Sequence, residues 1–296
     1  MKLTWSNPKH DPIPALMYEA YAYAVRQKEV PCSICRNTDY SVQSTGYRRK
    51  HFHGSELGAC KRKTLYQMLN PLQHGSNTKP EFLDDGHVHE NAVLVRMHNG
   101  LNSNEDIREL FGAVNVVPAS NRAEQTIKIN YMRGKDPENF KIVAHIDGTL
   151  CLGEGLTGVG YLLECKAVKT EKFQKIKNGE MDKEWYGQIQ SYLHIYNFTR
   201  AYLIVKNRET GAIIQPIRID YDSNYLKERR KVLVEVHKAV LSRGMVDREH
   251  AKHTESECQY CPFYAQCWKG DKSAQYKEQE DEQSTKKTSR NKTKTL

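Results

Sequence analysis

The chain has 296 residues, a mean hydropathy of -0.75, a formal charge of +9 and a pI near 9.0. That length can bury a sizeable core, and the basic balance suits polyanionic partners. No stretch reaches the unbroken apolar length of a membrane span, and Met1-Lys2-Leu3-Thr4-Trp5-Ser6-Asn7-Pro8 lacks the apolar run of an export leader. A cytoplasmic location with no membrane partner is therefore expected.

In chain order, a helix is predicted from about Ala15 to Lys28, ending before Pro31 and a Cys32-x2-Cys35 loop. Ser55 has the character of an N-cap for a helix running through Cys60 to Leu69, closed by Asn70-Pro71. An amphipathic helix from Asp84 to Met97 carries His87, His89 and Glu90, and a short one covers Glu105 to Leu110. Strands follow near Val114–Val117, Thr126–Tyr131, Lys141–Leu152 and Val159–Val168, then a helix from Lys183 to Tyr196. Ala201–Val205 and Ala212–Ile219 read as a second hairpin around Glu209-Thr210-Gly211, and a long helix from Asn224 to Ser242 ends toward Gly244. Three parts are expected: an N-terminal extension over 1–54, a main domain over 55–272 and a charged, apolar-poor tail over 273–296, which composition reads as disordered. The order of elements implies a mixed α/β fold, a central mixed sheet flanked by helices.

Chemistry concentrates on Asp147 and Glu164-Cys165-Lys166, which the hairpin reading sets on neighbouring strands. Alternation puts Glu164 and Lys166 on one face and Cys165 on the other. Two carboxylates on a rigid sheet suit a hard divalent cation, and a lysine beside them can orient water or stabilise charge on a phosphate. Salt bridging is the plain alternative, but carboxylates among apolar strand residues are costly to bury without a partner. Gln188 and Tyr192 stand one turn apart on a helical face. The basic runs Arg48-Arg49-Lys50, Lys61-Arg62-Lys63, Lys166 through Lys177 and Arg229-Arg230-Lys231 favour nucleic acid. Gly153-x-Gly155-x-x-Gly158 fits a dinucleotide pattern but leads into a strand, so it is read as a turn.

The ordered set Gly86-His87-Val88-His89-Glu90, Asp147, Glu164-Cys165-Lys166 and Gln188-x3-Tyr192 resembles the RecB family of PD-(D/E)XK nucleases. The resemblance implies a restriction-endonuclease-like core and a metal-dependent DNA exonuclease acting at DNA ends, in recombination, repair or CRISPR-type processing. It implies Mg2+ or Mn2+ held by Glu90 or His89, Asp147, Glu164 and the Cys165 carbonyl, with Lys166, Gln188 and Tyr192 completing the catalytic set. DNA is the implied partner, with a recombinase, helicase or integrase beside it.

Eight cysteines without a leader argue against a disulfide framework; Cys151 and Cys165 read as buried small hydrophobes. Cys60 and Cys258-x2-Cys261-x5-Cys267 are similar to the iron-sulfur subset of that family, which includes CRISPR-associated exonucleases and phage-encoded relatives. A 4Fe-4S cluster stapling a helical region is implied, with zinc as the alternative at the four thiols. Cys32 and Cys35, with His51 and His53, form a candidate second metal site. A non-catalytic nucleic-acid-binding protein and an RNA-directed nuclease of the same fold stay open as rival readings.

Overall fold

The computed structural model describes residues 13–14, 17–18, 51–69, 92–101, 103, 105, 114–118, 123–127, 140–144, 146–152 and 159–268. The candidate ligands Cys32, Cys35, His87, His89 and Glu90 lie outside the described residues, as does the tail over 273–296.

Among the described residues, two sheets carry the fold. The larger has five strands in the order β2 (Val114–Pro118), β5 (Gly148–Leu152), β6 (Val159–Val168), β7 (Arg200–Asn207) and β8 (Ile217–Asp220). Its β6 and β7 run parallel, and the remaining neighbours are antiparallel. A parallel pair needs a crossover. Here it consists of α2 (Thr170–Lys177) and α3 (Lys183–Ile195). The smaller sheet has the order β1 (His51–His53), β4 (Phe140–Ala144) and β3 (Ala123–Ile127). Two helices, α1 (Lys61–Leu69) and α4 (Ser223–Ser242), pack their apolar sides with Phe52, Phe140 and Ile142 of this sheet.

Why β7 is a strand follows from its composition: Ala201-Tyr202-Leu203-Ile204-Val205 is apolar throughout and buried along its length, as expected of a central strand covered on both faces. One face packs Leu162, Leu203 and Val205 against Ile189 and Leu193 of α3. The opposite face packs Leu163, Cys165, Tyr202 and Ile204 against Val93, Leu94 and Met97 of the helical residues 92–101. Cys165 is thus the buried small hydrophobe that alternation predicts, while Cys151 is only half-buried.

The expected single strand over Lys141–Leu152 is two strands, and they belong to different sheets. The chain leaves the small sheet after Ala144 and enters the large one at Gly148, so Asp147 sits at the changeover. A hydrophobic run cannot reveal such a break, because both halves are apolar and both are buried. The fold expectation is corrected on this point: it is a mixed α/β fold with two sheets, not one central sheet with a cluster-stapled helical region. Within the basic run Lys166 through Lys177, Thr170–Lys177 forms the helix α2, and Phe173 and Ile176 supply its buried side.

Caps explain several boundaries. Asp182 accepts from the Glu184 and Trp185 amides at the start of α3 (2.9 and 3.2 Å), and Asp222 accepts from the Tyr225 amide at the start of α4 (2.9 Å). At the end of α4, Arg243 rather than Gly244 takes the left-handed conformation, at φ 54°. The Gly244 amide still reaches Ala239 O at 2.9 Å, so the terminating bonds form one residue earlier than expected. Ser55 lies in a 3-10 turn over Gly54–Leu57, ahead of α1, where Glu56 Oε2 accepts from the His53 amide at 2.8 Å.

Arg229 ties this turn to α4, donating from Nε to Leu57 O at 2.5 Å and from Nη2 to Ala59 O at 2.6 Å, with Glu249 at 2.8 Å. Replacing Arg229 with Met keeps the stem and leaves two carbonyls without their donor; a loss of about 2 kcal/mol in urea unfolding is expected. The C-terminal helices α5 (Ser256–Gln259) and α6 (Tyr264–Trp268) return to α1. Tyr66 and Phe263 meet at 5.5 Å, Arg248 covers the Trp268 ring at 4.0 Å, and Arg62 and Arg248 donate to Cys267 O at 3.3 and 2.9 Å. Packing and arginine bonds thus join these distant segments.

His194 gives the fold a pH dependence. Burial and the neighbouring Arg230 both hold its pKa below the ordinary value, so the folded state favours the neutral ring. Its contribution is present above the unfolded pKa of about 6.5 and is lost as pH falls below it, because the unfolded chain then binds the proton more readily. His194→Gln is expected to shrink the drop in urea midpoint between about pH 8 and pH 5; an unchanged drop would remove His194 as a contributor.

Candidate active site

The register Gly148↔Leu163 between β5 and β6 places Asp147 opposite Glu164, one step beyond the ladder. Asp147 Oδ2 accepts from the Cys165 amide at 2.7 Å. Glu164 is completely buried. It meets its electrostatic cost with two donors on one oxygen: Lys166 Nζ at 2.6 Å and Gln188 Nε2 at 2.8 Å. Gln188 Nε2 also reaches Tyr192 Oη at 2.9 Å, spanning one turn of α3. Burial, followed by the charge of Glu164, pushes the Tyr192 phenol well above its usual range, and Lys166 and Asp147 also act on it. Tyr192 is therefore a neutral hydroxyl at ordinary pH.

The five residues named from sequence as catalytic thus converge, although they come from a sheet changeover, a strand and a helix. The strand supplies Glu164 and Lys166 by alternation, and α3 supplies Gln188 and Tyr192 by its four-residue repeat. What sequence reasoning missed is how α3 reaches the sheet. A Cβ on Gly187 would stand 2.3 Å from Gly58 Cα, one on Gly58 would stand 2.2 Å from Lys183 O, and one on Gly54 would stand 2.4 Å from the Tyr192 ring. Glycine in the middle of a helix is costly, by about 0.5–1 kcal/mol. That cost was the available signal that Gly187 marks a close crossing.

The expected metal chemistry is corrected. Among the described residues, no group of three or more His, Cys, Asp or Glu side chains is arranged to hold a metal ion. Oε1 of Glu164, a residue expected to ligate Mg2+ or Mn2+, instead holds the Lys166 ammonium, and a cation placed there would meet like charge. Asp147 is turned to the Cys165 amide, so the backbone unit of Cys165 engages the site as a donor. The described residues do not fit the divalent ion.

The same finding corrects the iron-sulfur expectation and its zinc alternative. Cys60, Cys258, Cys261 and Cys267 do line one cavity of about 30 Å³. Burial raises the thiol pKa of Cys60 and Cys261, and lifts that of Cys258 to about 11. Without a metal these thiols therefore stay protonated at ordinary pH. Cys267 Sγ lies 3.8 Å from Arg62 Nη1. The resemblance to an iron-sulfur RecB-type nuclease is withdrawn with the cluster on which its finer part rested.

Among the described residues no helix is long and apolar enough to cross a membrane. No family model matches this chain, and no curated protein matches it. Distant structural likenesses are found. The crystal structure of SSO0001 is 15% identical with a TM-score of 0.44, covering 86% of this chain and 96% of that one. An alkaline exonuclease, LHK-Exo from Laribacter hongkongensis, is 13% identical with a TM-score of 0.39, covering 66% of this chain and 93% of that one. The same exonuclease in complex with dAMP gives 13% identity and a TM-score of 0.33, covering 66% and 92%. Superpositions this loose, at this identity, do not establish a common fold.

Proposed function

We propose that this chain hydrolyses phosphodiester bonds of DNA, acting at strand ends. The observation that supports the reading is the meeting of Asp147, Glu164, Lys166, Gln188 and Tyr192 in one polar cluster on an otherwise apolar sheet face. Formal charge of +9 adds attraction for the phosphate backbone.

Roles follow from burial. Glu164 is sealed, so it acts as the positioning residue that fixes the Lys166 ammonium, with Gln188 and Tyr192 fixing Glu164 in turn. Lys166, whose side chain is 19% exposed, can meet a phosphate and neutralise the charge that grows on it in the transition state. Asp147 is the more exposed carboxylate and would take the proton of the attacking water. The water oxygen bonds to phosphorus, the ester oxygen departs with the electron pair of the broken bond, and solvent returns a proton to it.

The test is incubation of the purified chain with end-labelled single-stranded DNA, double-stranded DNA and RNA, in parallel buffers with chelator, Mg2+ and Mn2+. Progressive shortening of DNA is expected. Intact strands of every kind under all three buffers would overturn the reading, and RNA degradation with DNA spared would move it to the RNA-directed alternative.

A further inference from the structure

A groove of about 620 Å³ opens on the molecule between the end of β8 and the outer side of α4, lined by Tyr221, Leu226, Lys227, Arg230, Lys231 and Val234. Its volume is within the usual range for small-ligand sites, roughly 300–1,000 Å³. None of these residues belongs to the Asp147 and Glu164 cluster. On α3, His194 is two residues beyond Tyr192 and so lies on a different side of that helix.

The groove has a built floor. Arg230 Nη2 lies 2.7 Å from His194 Nε2, and His194 Nδ1 lies 3.1 Å from Tyr221 Oη. Arginine can only donate, so His194 Nε2 is the acceptor and Nδ1 carries the hydrogen given to Tyr221. The His194 and Tyr221 rings are nearly parallel, 13° apart with centroids at 6.1 Å, and Tyr221 remains 37% exposed. A flat aromatic ring is therefore held in place at the groove through its hydroxyl. Arg230 Nε is buried and has no hydrogen-bond partner among the described residues, which is costly unless a ligand or water meets it.

The charges nearby are unevenly matched. Asp220 is held by Arg200 and Arg218, each at 2.9 Å, and Asp222 caps α4. Glu228 pairs with Lys231 at 2.6 Å, but both side chains are about two-thirds exposed, so a phosphate can compete for that lysine. Acidic groups around the groove are thus engaged, while Lys227, Arg230 and Lys231 face it together.

We propose that this groove binds a nucleotide unit, with its phosphate on Arg230, Lys227 and Lys231 and its base stacked on Tyr221. The chemistry of cations beside a rigid exposed ring is that of single-strand recognition, where stacking tolerates any base and phosphate contacts give salt dependence. The inference rests on the reading that nucleic acid is the substrate, and it gives the strand a second hold away from the cleavage cluster.

Binding of a fluorescein-labelled single-stranded oligonucleotide, followed by anisotropy across a salt series, tests it. The full chain carrying Lys166→Ala serves as the parent, so that cleavage cannot distort the signal and a failure of the hydrolytic reading leaves the binding result intact. Adding Tyr221→Ala is expected to weaken binding roughly tenfold, whereas Tyr221→Phe, which keeps the ring and loses the hydroxyl, should lose much less. Lys227→Gln with Lys231→Gln should lower the salt slope by about 0.7 for each lysine removed. Competition with a free deoxynucleoside monophosphate separates the sources of the ligand: displacement at micromolar levels assigns the groove to free nucleotide, and its failure assigns it to a strand. Parent-like affinity and salt slope in both Tyr221→Ala and the lysine pair, with unchanged unfolding midpoints, would overturn the proposal.

Discussion

Lys166→Ala is expected to lower DNA hydrolysis by about 10²–10³-fold while leaving DNA affinity within a few-fold of the parent, in line with the removal of a single preorganised charge at the reacting phosphate. The ammonium stands 2.6 Å from a fully buried carboxylate, which orients it before any substrate arrives. Loss of the lysine also leaves Glu164 without its counter-charge, an outcome that could disturb the fold. Lys166→Met with Glu164→Gln removes both charges together and separates the two effects: it should fold with an unfolding midpoint near the parent's and still fail to cleave. Cleavage at the parental rate by a folded Lys166→Ala chain would remove Lys166 from the reaction.

Gly187→Val is expected to cost about 3 kcal/mol or more in urea unfolding, the upper end for overpacking a close contact. The reason lies in the crossing of α3 with the turn that precedes α1: even a single carbon at 187 would meet Gly58 Cα at 2.3 Å and the Leu57 carbonyl carbon at 2.9 Å. Backbone is in the way, so no side-chain rotation relieves it. Moving α3 outward would also pull Gln188 from Glu164, one residue along the same helix. Cleavage by the fraction still folded should therefore fall more than the loss of stability accounts for. A Gly187→Val chain as stable and active as the parent would refute the close crossing.

Much of the molecule was legible from its residues. The span Val159–Val168 is a strand as read, and Lys183 to Tyr196 and Asn224 to Ser242 match α3 and α4 within a residue, because long periodic segments with acidic caps carry their own signals. Alternation along β6 put Glu164 and Lys166 on one face and Cys165 on the other, and Gln188 meets Tyr192 because residues four apart share a helix face. These are short-range properties of the backbone, written in every local window.

What only the tertiary structure decided is which segments meet, and in what chemical state. The run around Asp147 divides between two sheets, since equal apolarity on both sides of a bend hides the bend. Gly54, Gly58 and Gly187 matter through contacts between segments far apart in the chain. The spacing of Cys60, Cys258, Cys261 and Cys267 suits a metal, but among the described residues no group of three or more ligands is arranged to hold one. Likewise Glu164 faces an ammonium in place of the expected cation. Residue type and spacing determine which groups are available. Burial and partner, which depend on the whole fold, determine whether a carboxylate or a thiol stands as a ligand, a buried ion or a neutral side chain.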